Sequence, residues 1–319
     1  MRAGPRGRAA FPHSPPGRAP LGAACPADRT PRSEAPNGST ADFPTRTPGH
    51  YRGGGHRGRD PEHRLGRWPQ PGGPGPQGRP NILWLVSEDN NPYVGAHGDR
   101  LTQTPTIDTL ARDGVRYRNA FSVAPVCAPS RFALITGVCP ERVGPAENMR
   151  ASSTLPQFMK GFPEYLRQAG YYCTNNSKTD YNTTIDMAAT WDASSGSAHW
   201  RNRPEGAPFF AVFNYLTTHE SSMFTAPAGP TDPASVRVPA FLPDTPNVRN
   251  DRAHQYDRMA QMDAQLAARL AELDADGLAE DTIVFYHGDN GGVMPWSKRH
   301  AKDNGLRVPL IVRFPRKNS

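Results

Sequence analysis

Residues 81–91 read NILWLVSEDNN, and the fold is decided by how this stretch is understood. Asn81 to Ser87 form an apolar run of strand length, as a strand buried on both faces requires. Two adjacent acids, Glu88 and Asp89, follow at once with Asn90 and Asn91. Open α/β sheets gather their ligands at the carboxyl ends of the strands, which is where these polar side chains fall. The same order returns twice. Phe209 to Leu216 is a strand leading to His219, and Thr282 to Tyr286 is a strand leading to Asp289-Asn290.

Working outward, helical patterns alternate with strands. Pro105 to Asp113 is helical, with proline in the first turn and Gly114 as its stop. Val115 to Ser122 reads as a strand, and Ser130 to Ile135 as a helix start that tolerates Pro129. Phe162 to Ala169, ended by Gly170, is a helix leading into a strand at Tyr171 to Asn175. The clearest helix spans Asp251 to Ala275. Met259, Met262, Leu266, Leu270 and Leu273 recur there at three- and four-residue steps, and Gly277 is its cap. A last strand is expected from Val308 to Phe314. Together these predict an α/β layered fold with a largely parallel sheet.

Residues 1–80 are unlike the rest, with 16 of the 35 prolines, 15 of the 30 glycines, 13 arginines, no lysine and 5 acids. The whole chain carries a formal charge of +7, so its basic excess belongs to this segment and the remainder is close to neutral. Arginines invite a nucleic-acid reading, because they displace counterions from phosphates. The segment has few aromatics and no repeated RGG-like unit, however, and its scattered apolar residues cannot offset the entropy of ordering. The expected division is a disordered basic extension over 1–78 and a catalytic domain over 79–319, with no nucleic-acid partner. No segment has the apolar core of a leader or the length of a membrane span. A start site assigned too far upstream would produce such an extension, and export then stays open. The four cysteines, Cys25, Cys127, Cys139 and Cys173, form no CxxC pair and no disulfide framework.

Three clusters carry chemistry. Glu88-Asp89-Asn90-Asn91 offers the oxygen ligands that a hard cation such as calcium takes, although a solvated turn would explain that run alone. Cys127-Ala128-Pro129-Ser130-Arg131, followed by Thr136-Gly137, sets a cysteine before a helix start, where the dipole favours an anion. A thiolate nucleophile with an arginine partner, as in cysteine-based phosphatases, needs several backbone N–H groups between the two residues; Pro129 removes one. The third cluster is His287-Gly-Asp289-Asn290-Gly291-Gly292, then Lys298-Arg299-His300, then Gly305-Leu-Arg-Val-Pro309. It supplies further oxygen ligands, glycines that permit close backbone approach, and a cation, Lys298, for an anionic substrate.

Cys127-Ala-Pro-Ser-Arg131 resembles the signature of type I, formylglycine-dependent sulfatases, members of the alkaline-phosphatase-like superfamily. The resemblance runs from about Pro80 to Pro315. It includes Arg79-Pro-Asn-Ile-Leu-Trp-Leu-Val-Ser-Glu-Asp-Asn90 as opening strand and metal loop, and Asp289-Asn290-Gly-Gly with Leu306-Arg-Val-Pro-Leu-Ile-Val312 as closing metal motif. The wording of Ser87-Glu-Asp-Asn90 and Asn175-Asn-Ser-Lys-Thr-Asp-Tyr-Asn182 is similar to bacterial sulfatases grouped near the heparan N-sulfatases. The resemblance implies an alkaline-phosphatase-like layered sheet flanked by helices. It implies that a maturation enzyme converts Cys127 to formylglycine, and that Glu88, Asp89, Asp289 and Asn290 hold one Ca2+. Arg131 would support the formylglycine, while Lys178, Lys298 and His219 would bind sulfate oxygens or assist the leaving group. The implied substrate is a sulfate ester or sulfamate, on a small molecule or a glycan.

Two positions depart from the family pattern: Glu88 stands where many relatives have Asp, and Asp180 where many have His. Relatives usually continue into a smaller C-terminal subdomain, so the resemblance also implies a catalytic domain truncated at that end. A phosphonate or phosphate diester hydrolase of the same superfamily, or an inactive fragment, are the alternatives left open by the motif.

Overall fold

The computed structural model describes residues 78–225 and 227–315. The extension expected over 1–78 lies outside the described residues, but for Gly78. Seven strands form one sheet: β1 (Asn81–Ser87), β2 (Val115–Arg116), β3 (Tyr172–Asn176), β4 (Ala193–Ser194), β5 (Phe209–Tyr215), β6 (Thr282–Gly288) and β7 (Leu310–Arg313). Their order is β2-β7-β6-β1-β5-β3-β4. From β6 through β4 every pairing is parallel, while β7 lies antiparallel to β6 and β2 antiparallel to β7. The expected long strand over Val115–Ser122 shrinks to two exposed residues at the sheet edge. Beyond β2 the segment stays beside residues 306–310 through scattered backbone bonds, from Tyr117 N–H to Leu310 O, from Val308 N–H to Ala120 O and from Ser122 N–H to Leu306 O, with an isolated bridge from Phe121 to Arg307.

Among the described residues, seven α-helices accompany the sheet: α1 (Pro105–Arg112), α2 (Cys127–Thr136), α3 (Phe162–Gln168), α4 (Met187–Thr190), α5 (Glu220–Thr225), α6 (Pro246–Ala275) and α7 (Asp303–Leu306). Successive side chains on a strand point to opposite faces, and the two cores sort by that parity. Leu83, Leu85, Phe209, Ala211, Phe213, Val284 and Tyr286 pack with Met259, Met262, Leu266 and Leu273 of α6 on one face. Ile82, Trp84, Val86, Phe210 and Val212 meet Ile135, Phe162 and Trp191 on the other. Both faces of β1 are thereby covered, which is why its sequence is apolar without alternation.

Helix α6 begins five residues before the expected Asp251. Its first turns are polar, so no apolar stripe marks them. Thr245 caps the start by accepting from the Val248 N–H, with Pro246 in the first turn. Gly277, at φ 69°, follows its end. Asp263, buried within the α6 stripe, accepts from the backbone N–H groups of Thr106 (3.0 Å) and Ile107 (2.9 Å). The carboxylate of one helix thus caps the first turn of α1, whose own Thr104 provides no side-chain cap.

Candidate active site

The polar residues converge at the carboxyl ends of β1, β3, β5 and β6. Helix α2 enters the same place by its N-terminus. Val126 is extended, Cys127 is the first helical residue, and Ser130 N–H makes the first helical bond, to Val126 O. Pro129 sits in the first turn, where a missing N–H breaks no helical bond. Cys127 is 2% exposed, with Sγ 3.9 Å from Asp89 Oδ1.

Arg131, one turn along α2, ties the acids together. Its Nε donates to Asp289 Oδ2 (3.1 Å), and its two terminal nitrogens donate to Glu88 Oε1 (2.9 Å) and Asn214 Oδ1 (2.8 Å). Asp89 N–H donates to Asp289 Oδ1 (3.1 Å), and Asn290 Nδ2 to Asp89 Oδ1 (2.9 Å). Ser130 Oγ donates to the Asp289 carbonyl, fastening α2 to the loop after β6. Asp89 adopts φ 50°, a left-handed conformation that a residue with a Cβ takes at some cost. Gly291 and Gly292 permit the loops to meet. A Cβ on Gly291 would stand 2.1 Å from Asn304 O, and one on Gly292 2.0 Å from Asn91 Oδ1.

Two lysines and a histidine close the pocket. Lys178 Nζ donates to Glu88 Oε2 (2.7 Å), and Lys298 Nζ donates to Asp89 Oδ2 (2.8 Å). His219 Nε2 lies 3.4 Å from Lys298 Nζ and 4.0 Å from Glu88 Oε2. Asp180, at φ 52°, keeps its carboxylate 3.8 Å from Lys178 Nζ. All nine residues singled out from the sequence therefore meet in one cluster.

Two contributors, Asn214 and Glu220, carried no assignment from the sequence, and Asn91, read there as part of the first oxygen cluster, has a bracing contact instead. Asn214, near the end of β5, accepts from Arg131 and donates to Asn175 Oδ1 (3.0 Å). Its signal was an amide at the carboxyl end of an otherwise apolar strand. Asn91 accepts from Gly292 N–H (2.9 Å), bracing the metal-loop candidate. Glu220 pairs with Lys298 and Arg299, and only its place beside His219 pointed to it.

The electrostatics separate the thiol from a conventional cysteine nucleophile. Burial first, then the carboxylates of Asp289 and Asp89, push the Cys127 thiol up to about 12. Burial and the neighbouring Asp289 raise Glu88 to about 7 against the opposing pull of Arg131 and Lys178. Burial depresses His219 below the ordinary imidazole range, with Lys298 and Lys178 adding to it and Asp89 opposing. Burial also works against the Lys298 ammonium, yet Asp89, Cys127 and Glu220 together hold it above its usual range.

The donors suit a hard cation. Glu88, Asp89 and Asp289 are each at most 1% exposed, and Asn290 Oδ1 is a buried oxygen without a hydrogen-bond partner. A buried acceptor left unpaired beside three carboxylates is a ready ligand position. Glu88, Cys127 and His219 also bring one ligand atom each within 4.8 Å of one another, a mixed sulfur, nitrogen and oxygen set on the thiol side of the pocket.

The Sulfatase family model matches residues 80–319. An ulvan-active sulfatase of Formosa agariphila is 39% identical over 288 residues, covering 75% of this chain and 48% of that protein. The N-sulphoglucosamine sulphohydrolase of Homo sapiens is 28% identical, over 74% of this chain and 55% of that enzyme. The chain spans about half the length of the curated relatives it matches. Among solved structures, the phosphonate monoester hydrolase of Agrobacterium radiobacter superposes with a TM-score of 0.58 at 18% identity, covering 74% of this chain and 68% of that one; this likeness speaks to fold alone. No helix among the described residues is long and apolar enough to cross a membrane. Motif, sheet and family match agree: the chain belongs to the sulfatase family.

Proposed function

We propose that residues 79–319 are a catalytic domain that hydrolyses sulfate esters or sulfamates on a sulfated carbohydrate, with Cys127 converted to formylglycine by a maturation enzyme. The observation that carries this reading is the state of Cys127. It is buried at the N-terminus of α2, beside Asp89, with its thiol pushed up to about 12. A cysteine-phosphatase reading is disfavoured, because Pro129 removes one of the backbone N–H groups that such a phosphate loop needs between its cysteine and arginine. As formylglycine hydrate, residue 127 would carry two hydroxyls on one carbon, one to bond sulfur as the ester oxygen departs and one to lose its proton and expel sulfate.

Glu88, Asp89, Asp289 and Asn290 would hold one divalent cation, calcium by the oxygen-only character of the set. When bound, it would polarise a sulfate oxygen. Maturation also removes the sulfur from the mixed Glu88, Cys127 and His219 set, which leaves a harder site. Arg131 keeps Glu88 and Asp289 in register from the buried side. Lys178, Lys298 and His219 bind sulfate oxygens or assist the leaving oxygen, as fixed charges facing the charge that develops.

Sulfated glycans are favoured because the relatives include an ulvan-active sulfatase and an N-sulphoglucosamine sulphohydrolase. Phosphonate or phosphate diesters are the second reading, left open because the Cys127-Ala-Pro-Ser-Arg131 motif alone does not separate them from sulfate esters. The test is co-expression with a formylglycine-generating enzyme, followed by ion chromatography of sulfate released from ulvan oligosaccharides and N-sulfoglucosamine, beside a phenyl phosphonate ester. Sulfate release at the higher kcat/KM is expected. Faster turnover of the phosphonate would overturn the assignment.

A further inference from the structure

Glu220 belongs to none of the groups assigned above, yet it touches the loops after β1 and β6 that build the site. Its backbone N–H donates to Asp89 Oδ2 (2.8 Å), the oxygen that also accepts from Lys298. Its carboxylate takes Lys298 Nζ on Oε1 (3.2 Å) and grips the Arg299 guanidinium at two points, 2.6 and 2.7 Å. Arg299 in turn donates its backbone N–H to Pro125 O (2.7 Å), two residues before Cys127, and adopts φ 71°. Glu220 therefore ties the start of α5 to the loop after β6, and the Arg299 backbone carries that tie on to the entry of α2.

We propose that Glu220, latched by Arg299, is a positioning residue that fixes the Lys298 ammonium beside Asp89 and His219. A lysine ammonium is a point charge on a flexible four-carbon stem, and nothing in its own geometry sets its direction. Without Glu220, Lys298 keeps Asp89 and the His219 imidazole as partners. Asp89 is also a proposed cation ligand, so a second acid lets Lys298 stay in place when that carboxylate is engaged elsewhere. A twin-contact guanidinium–carboxylate pair is directional, which suits a latch better than a lone lysine pair.

The kinetic arm rests on the sulfatase reading; the crystallographic arm does not. Glu220→Gln, Lys298→Ala and the double variant are compared with the wild type, with Arg299→Met as a second probe of the latch should Glu220→Gln fold poorly. Glu220→Gln should lower kcat by about ten- to a hundredfold, the scale of a misplaced catalytic group, with KM held within about twofold. Arg299→Met should shift it the same way by less. In the Lys298→Ala background Glu220→Gln should add nothing, since its effect passes through that ammonium. A crystal structure of Glu220→Gln should show Lys298 Nζ displaced from its wild-type position, which the 3.2 Å contact with Glu220 Oε1 helps to set. Losses that multiply in the double variant, or an unmoved Lys298, would overturn the proposal. If the matured wild type turns over no sulfate ester, the function assignment fails and the position of Lys298 alone decides this one.

Discussion

Two equally buried regions lie end to end along β1 and β6, built from opposite materials. Leu83, Leu85, Val284 and Tyr286 are at most 1% exposed and pack on α6, while Glu88, Asp89, Asp289 and Asn290 are just as buried a few residues further on. Burial of the first group contributes on the order of 25 cal/mol per Å² of apolar area. Burial of the second removes charge from water, and the ion pairs that compensate roughly break even. Equal burial therefore means stability in one region and stored electrostatic potential in the other. The contrast teaches that the pocket must be held in shape by the apolar layer beneath it.

The sharpest break between the regions should come from Cys127→Ala. Turnover of an aryl sulfate should fall by roughly 10⁴-fold or more, as when a nucleophile is removed, while the thermal melt stays within a degree or so of the wild type. An alanine variant with substantial turnover would mean that the nucleophile lies elsewhere.

Arg131→Met sharpens the comparison from the stability side. It leaves Glu88 and Asp289 buried without their shared partner, and should cost about 3–5 kcal/mol in urea unfolding. Leu266→Ala, in the apolar region, should cost about 2–5 kcal/mol by cavity formation while leaving calcium affinity unchanged in titration calorimetry. A loss of calcium binding on Leu266→Ala would show that the two regions are not separable. The smallest effect should be that of the ion itself. Calcium at about a hundredfold excess over its dissociation constant should stabilise the protein by about 2.7 kcal/mol, and Asp289→Ala should abolish that increment. Indifference of the melt to calcium and to chelator would remove the oxygen ligands from the account.

The apolar region was legible in the sequence because periodicity is a local property. NILWLVS and the stripe Met259, Met262, Leu266 and Leu273 declare a two-faced strand and a helix without reference to anything else. What escaped was set by tertiary contact or by edge position. The polar first turns of α6 carry no stripe, and the strand after Val115 stops being a regular ladder at the sheet edge, where only scattered backbone bonds to residues 306–310 continue it. The antiparallel turn of β7 follows from which neighbour it meets, which no local pattern encodes. In the pocket, motif residues were readable because their types and spacing are restrictive. Asn214 and Glu220 were not, since an amide ending a strand or an acid beside a histidine gains meaning only when Arg131 and Lys298 arrive from 83 and 78 residues away.

The account turns on what residue 127 becomes. Peptide mapping by mass spectrometry, after co-expression with a formylglycine-generating enzyme, reads this directly. The peptide spanning Cys127 should be about 18 Da lighter than its cysteine form, the difference between a thiol and an aldehyde side chain, and the fraction converted should track sulfate release. A matured, active preparation in which Cys127 remains an unmodified thiol would contradict the account at its centre.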